Sequence, residues 1–206
     1  MKFYLFLIIT IIILSGCQKN IFDNCNQTET CPVNIIIEDK IAEKILVEPV
    51  TEFKTRITKK PFGIYITPEN SPIQPERFQG FHTGVDVEYE DVNSDVPVFT
   101  ITDGQIIFAD WVNGYGGVVV IKHNIENKDY LVIYGHLNPD SLPIVNGQIQ
   151  KKEQIGILGK NKTNETDGER KHLHFAIYTK DDLNLRGYVQ TQDELKNWVD
   201  PLQFYP

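Results

Sequence analysis

The chain has 206 residues, of which 41% are hydrophobic, 23% charged and 11% aromatic, and its formal net charge is −8. This length allows one well-packed core with residues left over for a tail, and the composition is that of an ordinary globular protein. The acidic balance, without a basic stripe, argues against nucleic acid as the main partner.

The first 16 residues have the pattern of an export signal. Lys2 provides a short positive region, and residues 3–14 are almost continuously apolar. About a dozen apolar residues are too few for a transmembrane helix, which needs about 20, but they suit the apolar region of a signal peptide. Residues 1–16 are therefore predicted to be a signal peptide.

The segment Leu14-Ser15-Gly16-Cys17 follows the apolar run directly. It resembles the bacterial lipobox, in which small residues precede a cysteine that is lipidated and becomes the new N-terminus. An ordinary secretory signal with a chance cysteine is the alternative, but the position of Cys17 favours the lipobox. We expect Cys17 to carry a lipid anchor that holds the mature protein on a membrane, facing outside the cytoplasm.

Residues 17–55 are polar with scattered charges and show no sustained helical or strand period. They are predicted to be a tether, with a strand or short helix that docks on the following domain. Cys25 and Cys31 lie within it and could close a small disulfide loop in an exported protein. Two free thiols are the alternative, and the sequence leaves both open.

Short β-rich runs separated by Gly, Pro and Asn fill the chain after this tether. Asp103-Gly104 lies between two such runs and signals a hairpin. Only residues 193–199 look helical. Residues 56–206 are therefore predicted to form a single mainly β domain, an antiparallel β-sandwich or partly open barrel with one short C-terminal helix.

Two long segments interrupt the strand pattern, at residues 67–81 and 159–171. The first leads directly to His82 and the second to His172. Loops that flank a site on rigid strands commonly shape the substrate groove. We expect these two segments to do so here.

The segment from Lys171 to Tyr178 contains two of the five histidines, at i and i+2. The alternating aromatic and β-branched residues that follow predict a strand. Residues two apart on a strand point to the same face, so His172 and His174 would project together while Leu173 turns into the core. Two imidazoles on one face suit two metal ligands, one ligand with one proton-transfer group, or a polar strand surface.

Other histidines stand where strands are predicted to end. His82 and Asp86 are four residues apart, with Gly84 between them to let the backbone turn so that both side chains converge. One Asp and two His make a three-ligand set that leaves a fourth tetrahedral position open, as in catalytic zinc sites. His136 follows Tyr134 at another strand end. From these residue types alone we predict a mononuclear metal hydrolase.

The same motifs, taken in order, resemble those of the LytM/lysostaphin-type zinc endopeptidases, peptidase family M23. Each motif alone is moderately specific, but the ordered set, which covers about residues 62–201, is highly specific. The resemblance implies a LytM-like fold. The matching pieces are His82-x-x-x-Asp86, Pro97-Val98, Asp103-Gly104, Tyr115-Gly116-Gly117, Tyr134-Gly135-His136-Leu137 and His172-Leu173-His174-Phe175.

The resemblance also implies one Zn²⁺ per chain, held by His82, Asp86 and His174. His136 and His172 are then a catalytic pair outside the ligand set. One of them would transfer a proton and the other would stabilise the tetrahedral oxyanion, and which does which stays open. His123, at another strand end, is interpreted as a histidine that supports the structure, or the ligands from behind.

The function that the resemblance implies is a zinc-dependent endopeptidase of the cell envelope, anchored to the membrane, that hydrolyses peptide bonds in peptidoglycan stems or cross-bridges. The alternative is a non-catalytic module of the same fold that binds peptidoglycan or activates another wall hydrolase. Such relatives typically lack some metal ligands, whereas all five site positions here carry the expected residue type. The cleaved bond and the oligomeric state stay open.

The chain departs from the commonest family pattern just before His172. Residues 165–171 form a charged loop where many relatives have a short lead of the Ser/Thr-Gly-Pro type. The departure touches no ligand position, so it bears on substrate preference. Glu88, two residues after Asp86, is interpreted as a solvated acid.

Overall fold

The structure is a computed structural model that describes residues 46–206. The predicted signal peptide, the predicted anchor Cys17, and the pair Cys25 and Cys31 lie outside the described residues. None of the described helices is long and apolar enough to cross a membrane.

Short β-strands make up most of the regular structure. The single α-helix of the described residues, α1, spans Gln192–Leu195. Three 3₁₀ turns cover Pro139–Ser141, Asn164–Thr166 and Pro201–Phe204. The strands, in chain order, are β1 (Tyr65–Ile66), β2 (Gly80–His82), β3 (Gly84–Glu88), β4 (Pro97–Phe99), β5 (Gly104–Val112), β6 (Gly116–Ile125), β7 (Lys128–Leu137), β8 (Gln148–Ile149), β9 (Gln154–Ile157), β10 (His172–Tyr178), β11 (Tyr188–Val189) and β12 (Trp198–Val199).

One large antiparallel sheet forms the centre of the domain. Its strand order is β12-β10-β7-β6-β5-β8, and β3 also pairs with β10, on the edge opposite β7. Two small sheets accompany it, β1-β2-β11 and β4-β9. The large sheet does not close into a barrel within the described residues. The prediction of a mainly β, antiparallel, partly open domain is confirmed.

The large sheet is covered on both faces, because alternate residues of β10 belong to two separate apolar clusters. Leu173, Phe175 and Ile177 pack in the larger cluster, and Ala176 and Tyr178 pack in the smaller one. Every residue of this strand is buried. The paired histidines stand at the start of the strand, on the same face as the smaller cluster.

The predicted helix over residues 193–199 is shorter than expected. The helix α1 starts with a capping box between Thr191 and Glu194 and ends after about one turn. Trp198 then belongs to strand β12, where it lies opposite Tyr178 of β10. The two ring centroids are 4.6 Å apart, and only 5% of the tryptophan is exposed. Burial of this large ring outweighs the weak helical preference of the segment.

The end of the predicted tether packs on the domain. Leu46, Val50 and Phe53 are buried in the larger apolar cluster. The Phe53 ring meets Phe175 edge to face, with centroids 5.4 Å apart, and its centroid lies 4.9 Å from that of Tyr205. This segment therefore supports the strand that carries the paired histidines.

His123 is fully buried on β6. Its Nδ1 donates to the Asp103 carbonyl at 2.9 Å, so its Nε2 can accept from the Tyr134 hydroxyl at 3.4 Å. Burial lowers the pKa of His123 to about 4, so the ring is neutral at pH 7. These contacts tie the turn before β5 to the centre of the sheet, which is a structural role.

We expect Phe53→Ala to lower the free energy of unfolding by about 3–5 kcal/mol, because it removes a ring without exposed surface and leaves a cavity. Urea denaturation of the purified protein measures this change. Ile144→Ala is the control, since Ile144 is 87% exposed, and it should change stability by less than about 0.5 kcal/mol. Unchanged stability of Phe53→Ala would mean that residues 46–55 are not part of the core.

The buried His123 makes stability depend on pH with a definite sign. Its pKa is about 4 in the folded state and about 6.5 in the unfolded chain, so the unfolded chain binds the proton more readily between these values. Keeping this ring neutral costs nothing above about pH 6.5. As the pH drops toward 4, the free energy of unfolding falls by about 3 kcal/mol on account of this ring. We expect His123→Gln to flatten the pH dependence of urea unfolding in this window. An unchanged slope would contradict this assignment.

Candidate active site

Strand pairing brings most of the predicted site residues to one place on the large sheet. His174 of β10 lies directly opposite Asp86 of β3, and His172 lies opposite Glu88. On its other edge, His174 pairs with Gly135 of β7. Residues that are directly opposite in an antiparallel pair project to the same face, so these two histidines and two carboxylates share one side of the sheet.

His136 reaches this place through a β-bulge. The pairing of β6 with β7 shifts by one residue between Gly117 and Val118, which leaves His136 without a partner position. Its φ is 64°, which is uncommon for a residue with a side chain. Bulges re-aim side chains next to active sites, and here the His136 ring centroid lies 4.2 Å from that of His172.

His82, Asp86 and His174 each present one ligand atom to a common point. His82 Nε2 lies 3.1 Å from His174 Nδ1 and 3.2 Å from Asp86 Oδ1, and the last two atoms are 3.1 Å apart. Ligands about 2.0–2.1 Å from a tetrahedral zinc ion are about 3.3 Å from one another, close to these distances. All three residues are buried, and together they could hold a metal ion.

The electronic state of these atoms also fits a cation. His82 Nδ1 lies 3.2 Å from the Pro61 carbonyl, which can only accept, so in the neutral ring the Nε2 lone pair faces the other ligands. Burial opposes ionisation of Asp86, but the nearby His82, His172 and Arg170 hold the pKa of this carboxyl well below its usual range. Ligand atoms this close together in a buried site need a shared proton or a cation between them. The residues present therefore suit a divalent metal ion.

His136 and His172 form a pair of neutral rings beside this ligand group. His172 Nδ1 donates to the Arg170 carbonyl at 2.8 Å, which leaves its Nε2 as an acceptor 3.4 Å from Asp86 Oδ2. Burial lowers the pKa of His136 to about 3 and the pKa of His172 well below its ordinary value. His136 Nδ1 is buried and has no hydrogen-bond partner among the described residues. Both rings are therefore neutral at pH 7, and each keeps one nitrogen lone pair within the site.

Sequence reasoning missed a buried ion-pair network that supports Asp86. Arg170 donates from Nη2 to Asp86 Oδ2 at 2.7 Å, and from Nε and Nη2 to the two oxygens of Glu88 at 2.8 and 2.7 Å. The interpretation of Glu88 as a solvated acid is wrong, because this contact lies in the interior. The two-residue period of a strand is the sequence signal that could have revealed this network. Glu88 comes two positions after Asp86, and Arg170 two positions before His172, so all four side chains were candidates for the same face.

The site opens into a cleft of about 290 Å³ that is lined in part by His136, His172 and His174. Tyr115 lies against two of these rings, with its centroid 5.3 Å from those of His136 and His174. Tyr188 of β11 lines the cleft as well. The lining thus combines aromatic rings with many polar and charged side chains, which suits a polar ligand.

The two predicted loops meet at this cleft. In the loop of residues 67–81, Phe78 stacks on Tyr188 with ring centroids 5.5 Å apart, and Glu76 forms a buried ion pair with Lys60 at 2.6 Å. Arg77 joins this loop to the loop of residues 159–171 through Glu169 at 2.8 Å. Phe78 and Glu169 both line the cleft, so both loops shape it.

Known proteins similar to this chain include enzymes and activators by name. The murein hydrolase activator EnvC of Escherichia coli (strain K12) is 39% identical over 62 residues, which are 30% of this chain and 14% of EnvC. Endolysin 2638A of Staphylococcus phage 2638A is 32% identical over 123 residues, 59% of this chain and 24% of the endolysin. Lipoprotein NlpD of Yersinia enterocolitica is 31% identical over 82 residues, 39% of this chain and 75% of NlpD. The matched part of this chain thus spans less than a quarter of the length of EnvC and of the endolysin.

The model of peptidase family M23 matches residues 80–185. This range is more than half of the 206 residues, and it runs from the start of β2 to beyond β10. It contains all five predicted site residues, His82, Asp86, His136, His172 and His174, which the fold brings together. The chain belongs to peptidase family M23.

Proposed function

We propose that the protein is a zinc-dependent endopeptidase that hydrolyses peptide bonds in cell-wall peptidoglycan stems or cross-bridges. The observation that carries this proposal is the convergence of His82, Asp86 and His174 beside the neutral pair His136 and His172. Membership of a peptidase family supports hydrolysis of a peptide bond. The names of EnvC and the endolysin support peptidoglycan as the substrate class.

One Zn²⁺ per chain would be held by His82 Nε2, Asp86 Oδ1 and His174 Nδ1. Two imidazoles and one carboxylate are a ligand set typical of catalytic zinc, which keeps a position open for water or substrate. When bound, zinc lowers the pKa of water toward about 7 and polarises a carbonyl group. The remaining steps fall to the chain's own side chains.

His172 is suited to act as the general base. The Arg170 carbonyl holds the proton on Nδ1, so Nε2 can accept a proton from a water molecule in the cleft. The new Nε2–H would face Asp86 Oδ2, at 3.4 Å, and this carboxylate would stabilise the imidazolium. His172 can then return the proton to the leaving amine.

The His136 side chain is available to contact the substrate. Its Nδ1 has no partner among the described residues, and its ring lies beside that of His172. Depending on the tautomer, Nδ1 could donate to the oxygen on which negative charge develops, or accept a proton and pass it to the leaving group. Loss of His136 should therefore stop turnover without removing a metal ligand.

A second candidate function is a module that binds peptidoglycan and activates another wall hydrolase. The name of EnvC, a murein hydrolase activator, favours it. The complete set of His82, Asp86, His136, His172 and His174 favours the enzyme, because an activator has no need of two buried histidines beside a ligand group. The two functions differ in whether the chain itself breaks a bond.

We also propose that the mature chain is held in the cell envelope by a lipid on Cys17, facing outside the cytoplasm. The lipobox-like sequence supports this, and so does the name of lipoprotein NlpD. Residues 17–55 would then be the tether and residues 56–206 the peptidase domain.

The proposed enzyme should release fragments with new amino termini from purified peptidoglycan, and a chelator should stop the release. His174→Ala should abolish both stoichiometric zinc and cleavage, because it removes a ligand. His136→Ala should keep the zinc and lower cleavage by about 10²–10⁴-fold, because it removes only a proton-transfer group. Mass spectrometry of the fragments and elemental analysis of the protein measure the two effects.

The matched control for these variants is His123→Gln, which changes a buried histidine that does not line the cleft and should keep both zinc and cleavage. Zinc-loaded protein that binds peptidoglycan without cutting it would support the activator. Protein without stoichiometric zinc, with His82→Ala indistinguishable from the parent, would rule out the enzyme.

Cys17→Ser should release the protein from the membrane fraction, because no lipid can then be attached. Cell fractionation and immunoblotting measure the distribution. Cys25→Ser is the control, since it removes a nearby cysteine outside the lipobox-like segment and should leave the protein on the membrane. A membrane-bound Cys17→Ser protein would contradict the lipid anchor.

A further inference from the structure

Arg170 uses only part of its hydrogen-bonding capacity within the protein. Its Nε and Nη2 donate to Glu88 and Asp86, as described above. Its third nitrogen, Nη1, has no hydrogen-bond partner in the described part of the chain; the residue as a whole is only 3% exposed, but Nη1 is not one of its fully buried atoms. Arg170 lines the cleft together with His136 and His172. The guanidinium therefore has a free edge at the proposed reaction site.

The two carboxylates fix the orientation of this free edge. A guanidinium is planar, so three hydrogen bonds on Nε and Nη2 leave no freedom for Nη1 to turn toward another partner. Nη1 keeps contact with solvent, and a ligand oxygen that replaces water there would form a charge-assisted hydrogen bond. Nη1 is thus a preorganised donor for something that enters the cleft.

The charges around the cleft favour an anion as that ligand. Lys60 is neutralised by Glu76 at 2.6 Å, and Glu169 by Arg77 at 2.8 Å. With one divalent cation bound, the carboxylates of Asp86 and Glu88 and the guanidinium leave a single positive charge in the site. A monoanion would balance it, and a carboxylate is the anion of a peptide that pairs best with a guanidinium.

We propose that Arg170 Nη1 binds a carboxylate of the peptide substrate, so that the enzyme selects peptides with a free carboxylate close to the scissile bond. This inference rests on the proposed function and adds the substrate class. The carboxylate could be the C-terminus of the peptide or a branch carboxylate on one of its residues. Both sources present the same group to Nη1, and the test separates them.

The test uses a peptidoglycan stem peptide in three forms: with all carboxylates free, with the C-terminal carboxylate amidated, and with the branch carboxylate amidated. The full chain, loaded with zinc in detergent, is assayed for kcat/KM on each form. Calorimetry with His136→Ala then measures peptide affinity in the absence of turnover. We expect one of the two amidations to lower both quantities by about ten- to a hundredfold, the effect of losing a charge-assisted hydrogen bond.

A variant that tests the role of Arg170 has to remove the Nη1 donor without leaving an unpaired buried charge. Arg170→Gln alone would leave Glu88 and Asp86 uncompensated and could unfold the chain, so Glu88→Gln is made with it. The double variant should bind the free and amidated peptides equally. Arg186→Gln is the control, because Arg186 also lines the cleft but its side chain is 55% exposed and pairs with Glu194. It should keep the full preference.

Three outcomes would overturn the inference, and they differ in what else they affect. If the parent cuts all three peptides equally, the subsite is wrong and the endopeptidase stands. If the double variant keeps the parent's preference, the carboxylate is recognised by a residue other than Arg170. If zinc-loaded parent neither binds nor cuts any stem peptide, the proposed function fails and the inference fails with it.

Discussion

The pairing of β10 with β3 is the constraint on which the site depends. It places His174 opposite Asp86 and His172 opposite Glu88. A slip of one residue would turn the side chains of one strand to the opposite face and separate every one of these pairs. The other edge of β10 is held by β7, so its register is fixed from both sides. The site is thus positioned by backbone hydrogen bonds of a strand whose residues are all buried, which gives greater precision than a loop could.

The same register places two negative charges close together, and other groups of the site compensate them. It puts Asp86 and Glu88 on one face of a buried strand, where two carboxylates repel each other. Arg170 binds both of them, and the ligand atoms of His82, Asp86 and His174 favour a second positive centre close by. The guanidinium and the proposed metal ion would therefore be parts of one charge balance, and the metal ion should add to the stability of the folded chain as well as to its chemistry.

Much of this arrangement could be predicted, because it follows from local pattern. The two-residue period predicted that His172 and His174 share a face, and the closely spaced turn signals predicted a mainly β domain. The same residues could not separate ligand from proton-transfer group, and that division came from the family resemblance. The structure shows that the two rings differ in their contacts: His174 Nδ1 faces Asp86 and His82, whereas His172 Nδ1 donates to the Arg170 carbonyl.

What could not be predicted depends on contacts between residues far apart in the chain. Arg170 and Glu88 are 82 positions apart, and each looks like an ordinary surface charge until the strands are paired. The charged loop before His172 departs from the commonest family pattern. Its Arg170 is explained by the carboxylates that it binds on β3, not by contacts within the loop. A buried Glu88 without the arginine would be an uncompensated ion beside Asp86, whereas the arginine without Glu88 would keep only Asp86 as its partner. Arg170 and Glu88 are therefore one structural feature, and a change at Arg170 alone should disturb the charge balance around Asp86.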